Sequence, residues 1–112
     1  MSDAADLARL ALAFPGAAQY PHFDRIAFKA RVTFATLAPD RLTANLKLAP
    51  DEQALKCEVA PDAFSPIPNA WGARGRTVAR LEALSERELQ AALALAYAHA
   101  APKPKRKRRA IG

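Results

Sequence analysis

Apolar residues recur at two periods along the chain, and the switches between them divide it into elements. Leu7, Leu10, Ala11 and Phe14 stand at the spacing of one helix face, with Asp3 and Asp6 near its start, where the helix dipole favours acids. Pro15-Gly16 ends this helix. Tyr20 precedes a proline and is biased out of helical geometry, so Tyr20-Pro21-His22-Phe23 reads as a loop. From Arg25 the period becomes two. Ile26, Phe28, Ala30, Val32 and Phe34 alternate with Arg25, Lys29, Arg31 and Thr33, which predicts one core face and one cationic face. A single strand over 25–37 would far exceed the usual length of about 5–6 residues, so two strands folded near Ala30-Arg31 are expected. After the turn Ala38-Pro39-Asp40-Arg41, Leu42, Ala44, Leu46 and Leu48 alternate with Thr43, Asn45 and Lys47 as a third strand.

Pro50, followed by Asp51 and Glu52, opens a short helix expected to turn Ala54, Leu55 and Val59 toward the core, and Pro61 closes it. Phe64 to Ile67 can form only a short edge strand, because Pro66 and Pro68 lack the amides that a central strand needs. Residues 76–81 alternate again, with Val78 opposite Thr77 and Ala79. Ser85-Glu86-Arg87-Glu88 is a capping box, and Leu89, Ala92, Leu93, Ala96 and Tyr97 form the apolar stripe of the helix it starts. The order α-β-β-β-α-β-β-α predicts an α+β fold with helices on one face of an antiparallel sheet, in a single domain spanning 1–102.

Charge alters this picture only at the end of the chain. The formal charge is +6, yet residues 1–102 hold eleven Lys+Arg against all eleven Asp+Glu. The excess is Lys103, Lys105, Arg106, Lys107, Arg108 and Arg109, so 103–112 is a basic tail, expected to be disordered in isolation. Cys57 is the one cysteine and cannot form an internal bridge, which fits a reducing compartment. The acidic N-terminus is unlike a signal peptide, and no apolar run approaches the roughly 20 residues of a membrane span. A cytoplasmic protein is expected.

The stretch 61–81 holds the only Trp together with Arg74, Arg76 and Arg80. Gly72-Ala73-Arg74-Gly75 can be read as a loop that presents backbone amides to a phosphate, with Arg74 and Arg76 adding charge, or as a turn needing positive φ with Trp71 packed as a buried anchor. The second reading is preferred. Arg25, Lys29 and Arg31 on one strand face, near Lys47 if the strands pair, can track a nucleic-acid backbone or can be the solvated side of a sheet partly neutralised by Asp24, Asp40 and Glu82. Catalysis is poorly supported. A Cys57–His22 pair would need a third group to orient it, two histidines and one cysteine at unrelated spacings do not make a usual zinc site, and there is no P-loop. No enzyme activity, metal or cofactor is expected.

Phe14-Pro15-Gly16, Pro21-His22-Phe23, Phe34-Ala35-Thr36-Leu37, Leu46-Lys47-Leu48-Ala49-Pro50-Asp51-Glu52-Gln53 and Trp71-Gly72-Ala73-Arg74-Gly75-Arg76-Thr77, in this order, resemble the MmcQ/YjbR family over about residues 7–101. The resemblance implies a two-layer, secretion-chaperone-like α/β fold, for which a DNA-binding role has been put forward by analogy of fold. This sequence departs from the family pattern at Arg76, where an aromatic is common, which moves the expected surface from stacking toward charge.

The tail is the strongest signal from charge alone. A polycation binds nucleic-acid phosphates by counterion release; the same segment would suit an anionic membrane surface, nuclear import in a eukaryotic host, or solubility alone. The expectation is a small non-enzymatic nucleic-acid-binding protein, DNA first. Its candidate contacts are Arg25, Lys29, Arg31, Arg74 and Arg76 on the body and Lys103, Lys105, Arg106, Lys107, Arg108 and Arg109 in the tail. The rival is a chaperone-like module that presents a surface to a protein partner.

Overall fold

A computed structural model describes residues 1–101 of the chain. Helix α1 (Ala4–Leu12) is started by Asp3, whose carboxylate accepts from the Asp6 amide while the Asp6 carboxylate accepts from the Asp3 amide. Its Leu7, Leu10 and Ala11 are buried. Strands β1 (Ala18–His22), β2 (Arg25–Lys29), β3 (Thr33–Leu37) and β4 (Thr43–Lys47) follow, then α2 (Pro50–Val59), β5 (Phe64–Pro66), the single turn α3 (Ala70–Ala73), β6 (Arg76–Arg80) and α4 (Glu86–Ala100). The six strands form one antiparallel sheet in the order β1-β2-β3-β4-β6-β5. The fold is therefore α+β with an antiparallel sheet, and it adds β1 and α3 to the expected order.

The segment expected as a loop is largely strand. Tyr20, Pro21 and His22 end β1, and Phe23 begins the turn to β2 with a φ of 59°. At the sheet edge Pro21 has no ladder bond to lose, and the extended bias of the residue before it suits a strand as well as a loop.

Strand pairing sorts the side chains onto two faces. Ile26, Leu37 and Ala44 share one face with Phe28, Ala35, Leu46 and Thr77, because these residues are matched across β2, β3, β4 and β6. Phe34 joins them through a register shift: Phe28 pairs with Ala35 and Lys29 with Thr33, which leaves Phe34 as an extra, unpaired residue. Its fully buried ring meets Phe14 and Tyr97 edge-on. The helices cover this face. Leu89, Ala92, Leu93, Ala96 and Ala100 of α4 are buried in a common core with α1 and the strands.

Helix α2 corrects an expectation. Ala54, Leu55 and Val59 point outward, with Leu55 60% and Val59 73% exposed, and no residue of the helix is buried. Its half-buried side is Glu52, Gln53, Lys56 and Cys57. The helix is held by polar bonds: Glu52 Oε1 lies 2.8 Å from His99 Nε2 on α4, and Lys56 Nζ lies 5.9 Å from the Phe64 ring centre.

Candidate functional site

The face of the sheet turned away from the helices carries Arg25, Thr36, Asn45, Lys47, Arg76 and Val78, set there by the same pairing. A groove of about 520 Å³ opens on it. Its floor is residues 33–36 of β3 and 45–47 of β4; Ile67, Asn69, Trp71 and Arg76 border it on the β5–β6 side, and His22 also lines it. No carboxylate lines this groove.

The Trp71 border is built by local chemistry. The Asn69 side chain accepts from the Trp71 amide at 2.8 Å and starts α3. Gly72 packs so closely that an added Cβ would lie 1.9 Å from the Ile67 carbonyl oxygen. Gly75 has a φ of +102°, and a Cβ there would lie 2.2 Å from the Leu48 carbonyl oxygen. Both glycines are thus demanded by backbone approach, and Gly75 also by its left-handed conformation. The phosphate-cradle reading of this loop is corrected. The amides of Trp71, Gly72, Arg74 and Gly75 already donate to Asn69 Oδ1, Asn69 O, Trp71 O and Gly72 O.

Trp71 is not the buried anchor expected of it. It is 52% exposed, because Gly72 and Thr77, not the indole, fix the loop. The Thr77 hydroxyl, fully buried, donates to Gly75 O at 2.7 Å. The guanidinium carbons of Arg74 and Arg76 lie 5.2 and 5.4 Å from the centre of the indole. Such cation–π contacts at exposed sites contribute about 0.5–1 kcal/mol each. Neither arginine has a carboxylate partner among the described residues. Lys47 sits opposite Arg76 across the β4–β6 ladder. Burial holds the Lys47 ammonium below the usual lysine range, and the positive charges of Arg76 and then Arg31 lower it further.

The other strand cations are spread rather than aligned. Arg25 Nε donates to Thr36 Oγ1 at 2.9 Å, at the far end of the floor. Lys29 Nζ lies 5.3 Å from the Tyr20 ring centre. Arg31 is in the β2–β3 turn, where its amide donates to Ala100 O at 2.9 Å and its guanidinium to His99 O at 3.5 Å, satisfying carbonyls at the end of α4. Lys47 is two strands from Lys29, and its cationic neighbour by pairing is Arg76. The acids expected to neutralise this surface are used elsewhere or carry no ion pair: Asp40 accepts from the Leu42 amide, Glu82 lies 3.7 Å from Arg80, and Asp24 pairs with none of the described cations. The tail residues 103–112 lie outside the described residues. Described residues end at Ala101, next to the Ala100 carbonyl that Arg31 contacts.

Sequence reasoning missed Gln53, whose side-chain nitrogen donates to Gly72 O and Arg76 O from α2. Its position within Leu46-Lys47-Leu48-Ala49-Pro50-Asp51-Glu52-Gln53, one of the motifs quoted above, was the available signal. Asn45 was also missed; its signal was its place between Ala44 and Leu46 on the polar side of a strand. Cys57 is on α2, which packs beside β5 and β6, whereas His22 is on β1 at the other edge of the sheet, and burial pushes the Cys57 thiol up. Among the described residues no three His, Cys, Asp or Glu side chains gather as a metal cluster, and no helix is long and apolar enough to cross a membrane.

No family profile and no curated protein matches the chain. Among solved structures it is similar to the Deinococcus radiodurans protein DR2400, a DUF419 domain. The two share 17% identity at a TM-score of 0.64, over 83% of this chain and 74% of that one. At this identity the likeness is one of fold. It agrees with the α+β architecture described above.

Proposed function

We propose that the chain is a non-enzymatic nucleic-acid-binding protein of the MmcQ/YjbR type, acting on DNA in the cytoplasm, with the open sheet face as its folded binding surface and the basic tail as an added source of phosphate affinity. The spaced motifs and the fold likeness to a DUF419 domain support the family reading, and the unpaired Cys57 fits a reducing compartment. The observation that carries the binding role is the grouping of Arg74, Arg76 and Lys47 around an exposed Trp71, beside a groove lined by no carboxylate. Cations gathered without counter-charge raise the local concentration of an anion, and phosphodiesters supply that anion repeatedly along a chain. Arg31 contacts the end of α4, where the described residues end, and the six cations of 103–112 follow in sequence.

The test is a mobility-shift titration at about 50 mM salt, where phosphate contacts are strong. The full chain should bind DNA, Arg74→Ala with Arg76→Ala should weaken it, and removal of 103–112 should weaken it further. No binding by the full chain rejects the reading. A protein-interaction module is the second reading, favoured by the exposure of Leu55 and Val59 one turn apart on α2. Under it the full chain would not bind nucleic acid, and Leu55→Ser with Val59→Ser would abolish partner binding.

A further inference from the structure

The proposed function leaves open which form of nucleic acid the sheet face takes. Resting on that reading, we infer that the groove receives an unpaired nucleotide of a single strand, with its base against Trp71 and over Asn45 and its phosphates on Arg74, Arg76 and Lys47.

The floor is recessed between the Trp71 segment on one side and His22 on the other. A duplex keeps its bases stacked inside and presents phosphates on a convex surface, so it can touch the rim but cannot place a base on the floor. A single strand can turn a base inward. Surfaces that bind single strands combine a cationic groove with an exposed aromatic face, and both are present here.

The polar groups suit a base edge. Asn45 is half-buried in the floor, and its amide makes no side-chain hydrogen bond to another described residue, so it retains two donors and an acceptor. Beside it across the β3–β4 ladder is Thr36, whose hydroxyl oxygen accepts from Arg25 and whose proton remains to be donated.

The two arginines complete the argument. Each rests near the indole with no carboxylate, and a charge-assisted bond to a phosphate oxygen is stronger than an exposed cation–π contact. An arriving phosphodiester therefore draws the guanidiniums off the ring and frees its face for the base. Lys47, disfavoured as a cation by burial and by Arg76 and Arg31, gains the counter-charge it lacks.

Trp71 is the only tryptophan, so its emission reports this groove alone. The full chain is titrated with a short oligothymidylate and with a duplex of the same length, following Trp71 emission together with the anisotropy of the labelled nucleic acid. Oligothymidylate should quench Trp71 to saturation, while the duplex binds through cations with little change in emission. Trp71→Ala should reduce oligothymidylate affinity by about tenfold or more and Trp71→Phe should restore most of it, as stacking requires. Asn45→Ala should weaken single-strand binding and leave duplex binding as it is. Equal quenching by both forms, or binding of oligothymidylate without quenching and without loss in Trp71→Ala, overturns the single-strand groove and leaves the broader reading standing. Absence of binding by either form overturns both.

Discussion

The side-chain nitrogen of Gln53 donates to the carbonyl oxygen of Arg76 at 2.9 Å, tying the helical layer to the rim of the groove on the open face of the sheet. The same nitrogen donates to Gly72 O at 3.0 Å, so a single amide on α2 holds both ends of the segment 72–76, which carries Arg74 and directly follows Trp71.

Gln53→Ala should cost about 1–2 kcal/mol, the net worth of two ordinary hydrogen bonds, because Gly72 O and Arg76 O each keep another donor, from Gly75 and Ile67. Urea unfolding measures the loss. Trp71 emission in the folded variant should change as the turn loosens, and an unchanged emission would mean that the glycines alone fix the turn.

Gly72→Ala should be worse. Its methyl would meet main chain, the Ile67 carbonyl, which cannot swing aside, and overpacking of this kind costs about 1–3 kcal/mol or more. Gly16 has open space around its Cβ position but a φ of +75°, so Gly16→Ala should cost only about 1 kcal/mol through backbone strain. Equal melting temperatures for the two variants would contradict the close approach at Gly72.

Lys47 sets stability against binding. In the folded protein its charged form is disfavoured by burial first and by Arg76 and Arg31 next, so the unfolded chain holds the proton more tightly. Stability should then rise with pH between the lowered folded value and the ordinary lysine value of about 10.4, and the penalty should be fully present at neutral pH. Lys47→Met should leave stability at pH 7 unchanged or raise it by up to about 1 kcal/mol, while weakening nucleic-acid binding. The stability gain should fade as the pH approaches about 10, which urea titrations across pH will reveal.

Much of this architecture is legible in the sequence because one-sided elements write their period into it. The stripe on α4 and the alternation of β4 and β6 follow from burial of one face, and the capping box at Ser85 from hydrogen bonds between residues three apart. What was hidden was decided by partners distant in sequence. Leu55 and Val59 look like a helix face seeking a core, but α2 is fixed by Gln53 and Glu52, so its apolar side is left outside. Trp71 looks like an anchor by residue type, yet glycine packing fixes its turn. The zero net charge of residues 1–102 concealed a segregation. Asp3, Asp6, Asp51, Glu52, Glu86 and Glu88 serve helix starts on one layer, whereas Lys47 and Arg76 line the groove on the other and Arg74 lies over Trp71 beside it.

Trp71→Ala should therefore be mild in folding terms. With Trp71 52% exposed and its two arginine contacts worth little, the loss should be about 1 kcal/mol or less, where a buried tryptophan would cost about 3–5 kcal/mol. Chemical denaturation followed by far-UV circular dichroism tests this without using the residue being removed.

The last prediction divides affinity between tail and body. Six tail cations on duplex phosphates would give a slope of log K against log salt of about −5, whereas Arg74, Arg76 and Lys47 together would add less than about −3. Removing 103–112 should therefore abolish most duplex binding at physiological salt. It should leave the melting temperature nearly unchanged, since the buried core and the α4 cap described above are all retained in residues 1–102. Single-strand binding should fall less steeply, because the groove retains its aromatic and polar contacts when the tail is gone. Arg74→Ala with Arg76→Ala should show the converse, a small loss on duplex and a larger one on single strands. If the truncated chain keeps the full affinity and salt slope for duplex, the tail is not the electrostatic arm and phosphate binding belongs to the body alone.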